Sequence, residues 1–160
     1  MNEPVEPAGT DAEPVRRLVD YYERAARRMQ GMPVCNPNLV VEGVGIREFD
    51  GRRIGVIVTP WFMNLTVLPS PADLATWREG AVAQIAFPSG VYDFVVSEAG
   101  DNGLIATCSL FSLMHEFADQ DSARAAARAA IDALFEPAAP QRPSSAKAAT
   151  VLSRRKFLGG

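Results

Sequence analysis

The segment around Asp50-Gly51 constrains the fold more than any other part of this chain. Before it, residues 39–50 read LVVEGVGIREFD, and after it residues 52–61 read RRIGVIVTPW. Asp-Gly is strongly favoured in two-residue hairpin turns because its residues accept positive φ. Two β-rich segments joined by so short a turn predict an antiparallel hairpin.

Further strand-like segments follow this hairpin. They are FMNLTVLPS (62–70), SGVYDFVVSEAG (89–100) and LIATCSLFS (104–112), and the last two flank a turn at 101–103. Residues 71–79 predict a short helix, followed by an extended segment. Consecutive strands are usually neighbours and therefore antiparallel. The sequence thus predicts a roughly five-stranded antiparallel sheet.

A helix is predicted on each side of the sheet segments. The first begins near Asp11 and ends before Gly31, because Val15, Leu18 and Tyr22 recur at helical spacing. The second begins near Asp119, Asp121 or Ser122, any of which can cap it, and ends at Pro137. The predicted fold class is α+β, with an N-terminal helix, the sheet and a C-terminal helix.

Differences in composition divide the chain into four regions. Residues 1–11 are acidic and Pro-rich, which is typical of a disordered leader. Residues 12–136 form one domain, and a hydrophobic content of 48% is sufficient for its core. Residues 137–149 have the Pro, Ser and Ala content of a linker, and residues 150–160 form a flexible basic tail.

Charge and hydropathy narrow the classes of partner. A net charge of -3 disfavours nucleic acid as a partner. No apolar run approaches the roughly 18 residues of a membrane-spanning helix, so no membrane span is expected. The N-terminus lacks the apolar region of a signal peptide. The default expectation is a soluble cytoplasmic protein with reduced cysteines.

The sequence has few residues of the types that catalyse reactions or bind metals. Cys35 and Cys108 lie far apart, His115 is the single histidine, and no CxxC pair occurs. Zinc and iron–sulfur spacings are therefore absent, and we expect no metal, no cofactor and no catalytic residue. An alternative remains, a thiol-dependent redox enzyme or sensor using Cys108 and His115. Against it, a cysteine within an apolar strand is usually an inert small hydrophobe.

Two segments are candidates for binding. Trp61, Phe62 and Met63 belong either to a buried strand with aromatic ends or to a ridge that accepts a peptide. At the other segment, residues 153–160 read SRRKFLGG. This tail matches the twin-arginine export signature, a Ser or Thr followed by Arg-Arg, any residue, Phe and Leu. The matching residues are Ser153, Arg154, Arg155, Phe157 and Leu158.

Together the chain resembles the HybE/HupJ family of [NiFe]-hydrogenase assembly chaperones over roughly residues 15–160. The resemblance is carried by Thr59-Pro60-Trp61, Phe87-Pro88-x-Gly90, Cys108-Ser109-Leu110 and the terminal SRRKFL. It implies a non-enzymatic accessory protein with an α+β fold similar to secretion chaperones. The implied partners are hydrogenase small- and/or large-subunit precursors, hereafter clients, and possibly other maturation proteins. Trp61, Phe62 and Met63 then become the candidate client surface.

The resemblance also bears on the tail. A working export signal is not expected, because no apolar segment follows Leu158. The tail is either a basic extension that aids solubility or a mimic of the client's twin-arginine leader. As a mimic it would occupy this protein's own peptide groove or a site on a maturation partner. Such a role would couple assembly to export.

Overall fold

A computed structural model describes residues 13–137 of the protein. The predicted leader at 1–11, all but the first residue of the 137–149 linker, and the 150–160 tail with its twin-arginine motif lie outside the described residues. Within the described part the elements follow in this order: α1 Glu13–Met29, β1 Glu42–Phe49, β2 Arg52–Val58, β3 Met63–Leu68, α2 Pro71–Thr76, β4 Val82–Phe87, β5 Gly90–Glu98, a 3-10 turn Gly100–Asn102, β6 Leu104–Phe111 and α3 Gln120–Leu134.

The strands form one antiparallel sheet in the order β1-β2-β3-β6-β5-β4. The first three strands and the last three are each a meander, and β3 pairs with β6 to join them. The predicted hairpin is confirmed: Phe49 pairs with Arg52, and Asp50 and Gly51 both have positive φ, 55° and 80°. The α+β fold class predicted from the sequence is therefore confirmed.

The predicted count of five strands is wrong, because the sheet within residues 13–137 has six. The additional strand is β4, which the sequence predicts only as an extended segment. Ala83, Gln84 and Ala86 favour helix more than strand, so the local pattern is ambiguous. These residues form a strand because β4 pairs with β5 along its whole length, from Val82 opposite Val95 to Phe87 opposite Gly90.

Helix α3 covers one face of the sheet. Its small residues Ala123, Ala127 and Ala130 are buried, which lets the helix lie close to the strands. On the sheet side, Gly45 stands at an irregularity in β1 with φ 67°. A Cβ added to Gly45 would lie 2.6 Å from Cγ2 of Ile131, so glycine sets the approach of the helix. The main hydrophobic core fills this side.

Helix α1 packs on the opposite face, where a smaller core forms. Leu18 is the buried residue of α1, and it packs with Ile57 and Ile105. At the β4–β5 end of this face, Val82, Val91 and Val95 are exposed. The stripe predicted for the first helix is thus confirmed, and α1 covers only part of this face.

Candidate functional site

An open pocket lies between the C-terminal half of α1 and the loop that follows it. Its volume is about 630 Å³, which falls within the range of ligand-binding clefts. Apolar residues make most of its wall: Ala26, Met32, Leu39, Val40, Val41 and Pro60. Glu23 and Arg27 of α1 stand at its edge. We call this cavity the α1–Pro60 pocket.

The end of α1 shapes the pocket. Gly31 has φ 86°, the left-handed conformation with which glycine commonly ends a helix. The amide of Met32 donates to the carbonyl of Met29 at 3.0 Å, and the thiol of Cys35 reaches the same carbonyl at 3.5 Å. The last helical carbonyl is therefore satisfied, and the chain turns back beneath the helix instead of leaving it.

Asn36 fixes the back wall of the pocket. It is 4% exposed, and its side-chain amide donates to the carbonyls of Met114 at 2.9 Å and Phe117 at 2.8 Å. Its backbone amide donates to Pro60 at 2.9 Å. Through its side chain and its backbone amide, this one residue joins three loops that are distant in sequence. Sequence reasoning missed Asn36, because asparagine is common in loops and its partners cannot be identified from the local pattern.

An aromatic row continues from Pro60 along α1. The ring centroids of Trp61 and Phe62 are 5.5 Å apart, and those of Phe62 and Tyr22 are 5.4 Å apart. The hydroxyl oxygen of Thr59 accepts hydrogen bonds from the backbone amides of Trp61 and Phe62, which holds the two residues in a turn. Burial, and to a lesser extent the neighbouring Tyr21, raises the pKa of Tyr22 to about 12. Tyr22 is therefore neutral at physiological pH.

The three residues of the predicted ridge are not equivalent. Trp61 and Phe62 are half-buried, so each keeps a surface that another molecule can contact. Met63 is 0% exposed and pairs with Phe111 in the sheet. Because its side chain points into the main core, Met63 cannot contribute a contact surface in this fold. The client-surface hypothesis is kept for Trp61 and Phe62 only.

The start of α3 supplies an acidic edge to the pocket. The backbone amide of Val40 donates to the side chain of Gln120 at 2.9 Å, and Gln120 donates back to the Val40 carbonyl at 3.3 Å. The exposed carboxylates of Glu116 and Asp119 lie just before this helix start, whereas the Asp121 carboxylate is paired with Arg124 at 2.7 Å. A basic group seated near Val40 would therefore find negative charge on the α3 side.

Glu42 is nearby but is already paired. Burial opposes its ionisation, but hydrogen bonds from Arg124 and Gln120 outweigh burial and lower the pKa of Glu42. The Arg124 guanidinium donates to its carboxylate at 2.8 Å. Glu42 therefore serves the contact between β1 and α3.

The thiol-enzyme alternative gains no support from the geometry. Cys108 lies in β6 opposite Leu65, and burial, assisted by the charge of Asp93, raises the pKa of its thiol. A raised pKa keeps sulfur protonated and poorly nucleophilic near neutral pH. His115 is exposed in the loop beyond the end of β6. Along residues 13–137, His, Cys, Asp and Glu side chains nowhere gather in a group of three or more that could hold a metal.

The described residues contain three α-helices, α1, α2 and α3. None of α1, α2 and α3 is both long and apolar enough to cross a membrane.

The sequence matches, over residues 13–160, a family model described as "[NiFe]-hydrogenase assembly, chaperone, HybE". It is 47% identical over 142 residues to the hydrogenase expression/formation protein HupJ of Bradyrhizobium diazoefficiens, a match covering 88% of this chain and 83% of that protein. It is 38% identical over 141 residues to the hydrogenase expression/formation protein HupT of Azotobacter chroococcum, with 88% and 93% covered. The solution structure of HybE from Escherichia coli is similar in fold, with a TM-score of 0.61 at 21% identity, over 82% of this chain and 84% of that one. The chain therefore belongs to the HybE family of [NiFe]-hydrogenase assembly chaperones, accessory proteins of hydrogenase maturation and not enzymes.

Proposed function

We propose that this chaperone binds precursor subunits of an exported [NiFe] hydrogenase and coordinates their assembly with twin-arginine export. The observation that carries the proposal is the open, mainly apolar α1–Pro60 pocket, which adjoins the half-buried Trp61 and Phe62. Other maturation proteins are further candidate partners. Because assembly precedes export, the place of action in this proposal is the cytoplasm.

The surface suits an extended peptide that carries both apolar and basic residues. Large apolar side chains would fill the space beside Met32 and Val40, which are 47% and 62% exposed. Aromatic and Met side chains are favoured where a groove accepts peptides of variable shape. Basic side chains would meet the acidic edge at Glu116 and Asp119. A twin-arginine leader combines these two features, since its arginines precede an apolar segment.

The mechanism needs no covalent step. A leader held in the pocket is covered and so withheld from the export machinery. The rigid wall fixed by Asn36 means that little ordering of the protein is required on binding, which favours affinity. Release would follow when the assembled subunits offer contacts that the chaperone cannot match.

Titration of the full chain with purified small- and large-subunit precursors tests the proposal. Trp61→Ala should weaken binding of the client at least fivefold while leaving the circular dichroism spectrum unchanged. Leu74→Ala is the control, because Leu74 also presents a large apolar side chain to solvent, being 58% exposed, but lies on α2 away from the pocket. Absence of binding to either precursor would refute the proposal. Loss of the helical signal in Trp61→Ala would instead identify Trp61 as a core residue.

A further inference from the structure

We propose that residues 153–158 of this same chain dock in the α1–Pro60 pocket and so occlude the client site. The docking itself is a property of this chain alone. Only its consequence, competition with a client leader, rests on the proposed function.

The chemistry of the segment matches that of the pocket. Phe157 and Leu158 supply two large apolar side chains for a wall made mainly of apolar residues. A volume of about 630 Å³ accommodates both. Arg154 and Arg155 precede them and carry positive charge toward a site with acidic residues on its α3 side. Apolar burial would supply most of the affinity, and the charges would set the orientation.

The tether has the length that this docking requires. Helix α3 starts at Gln120, beside Val40 of the pocket, and ends at Leu134, whose carbonyl accepts from the Ser89 amide at 3.2 Å. A helix of its 15 residues is about 22 Å long, so the chain leaves α3 about that far from the pocket. From residue 137 to Ser153 there are 16 steps (153 minus 137). A coil of that length has a root-mean-square span of about 22 Å.

The mean span of the linker matches the distance from the end of α3 to the pocket, and such a match favours binding within one chain. A tethered ligand has its highest effective concentration, on the order of 1 mM, when the linker's mean span equals the distance to the site. With a dissociation constant on the order of 0.1 mM, the segment would fill the pocket about 90% of the time. A client leader with the same motif would then have to displace it. Weak self-binding would thus exclude isolated peptides from the pocket. A client that makes several contacts with the protein would bind tightly enough to displace the segment.

Cys35 provides a direct measure of occupancy, because it lines the pocket and is partly exposed. The experiment follows alkylation of Cys35 by iodoacetamide in the full chain, using mass spectrometry and Cys108 as an internal reference. The double variant Phe157→Asp with Leu158→Asp should react about tenfold faster at Cys35, as expected for a site filled about 90% of the time. Ser144→Asp with Ser145→Asp adds the same charge to the linker and should leave the rate unchanged.

Equal Cys35 rates in all three proteins would overturn the proposal. A second measurement locates any docked segment, by comparing amide chemical shifts of the full chain and the Phe157, Leu158 double variant. Changes at Met32 and Val40 are expected. Changes confined to Val82 and Val95 would place the segment on the exposed sheet face and would overturn the pocket assignment. Neither measurement uses a client, so a failure of the proposed function and a failure of self-occlusion give different results.

Discussion

The side-chain amide of Asn36 donates a hydrogen bond of 2.9 Å to the backbone carbonyl of Met114, which lies 78 positions later in the chain. The same nitrogen donates to Phe117 at 2.8 Å. These bonds join the loop after α1 to the loop before α3. Asn36 itself lines the α1–Pro60 pocket, so this contact supports both the fold and the client site proposed there.

Replacement of Asn36 by Ala should therefore lower the stability of the fold and weaken binding of the client. It leaves two buried carbonyls without their donor, and we expect the free energy of unfolding to fall by about 2 kcal/mol. Urea denaturation measures this change. Asn38→Ala is the control, since Asn38 is exposed and should cost less than about 0.5 kcal/mol. Equal losses in the two variants would show that the Asn36 contacts do not hold the loops.

The pair of Arg52 and Asp73 should make stability depend on pH. Two hydrogen bonds of 2.7 and 2.8 Å from Arg52 lower the pKa of Asp73, against the opposing effect of burial. A carboxyl with a lowered pKa stabilises the fold above its unfolded value of about 3.9, and this contribution is lost as pH falls through the folded pKa. Asp73→Asn should lower the free energy of unfolding by about 2 kcal/mol at neutral pH.

The difference between the wild-type protein and Asp73→Asn should shrink as the pH falls below about 4. Asp50→Asn serves as control. Asp50 lies 3.7 Å from Arg52 but is 73% exposed, so its loss should cost less than about 1 kcal/mol at any pH. A difference for Asp73→Asn that stays constant from pH 7 to pH 3 would contradict this account.

Gly45→Ala tests the contact between α3 and the sheet. Positive φ at this residue and the 2.6 Å approach to Ile131 both oppose a Cβ, and we expect a loss of about 3 kcal/mol. Gly80→Ala shares the positive φ, 88°, but meets nothing within 4 Å, so it should lose only about 1 kcal/mol. Thermal or urea unfolding distinguishes the two. A loss for Gly80→Ala as large as that for Gly45→Ala would mean that backbone strain alone accounts for the effect.

Cys108 should react as a buried thiol. Because burial raises its pKa, alkylation near pH 7 should be at least tenfold slower in the folded protein than in urea. Mass spectrometry after timed quenching gives both rates. Rapid reaction of Cys108 in the folded state would revive the redox-sensor alternative, particularly if His115→Ala slowed it.

Much of the fold could be predicted from local signals. Asp50-Gly51 predicts its hairpin, and Pro137 and Gly31 predict the ends of helices, because each acts through its own backbone conformation. The sixth strand could not be predicted, since β4 is decided by its pairing with β5 and not by its own residues.

The candidate site was predictable only in part. Trp61 and Phe62 are visible as an unusual aromatic pair, but the burial of Met63 depends on which face of β3 the core covers. Asn36 gives no local signal, because its partners are brought to it by the sheet topology. Contacts that cross the whole chain determine this pocket, and such contacts are not encoded in short-range patterns.

The most direct test of the central claim compares two valines that are equally exposed. Val40 is 62% exposed in the pocket, and Val82 is 60% exposed on β4, four strands from β2 in the sheet. Each is replaced by Asp in the full chain, and the affinity for a purified hydrogenase small-subunit precursor is measured by calorimetry. We expect Val40→Asp to weaken binding at least tenfold and Val82→Asp to leave it unchanged. Unchanged binding by Val40→Asp, or a loss confined to Val82→Asp, would contradict the assignment of the client site to the α1–Pro60 pocket.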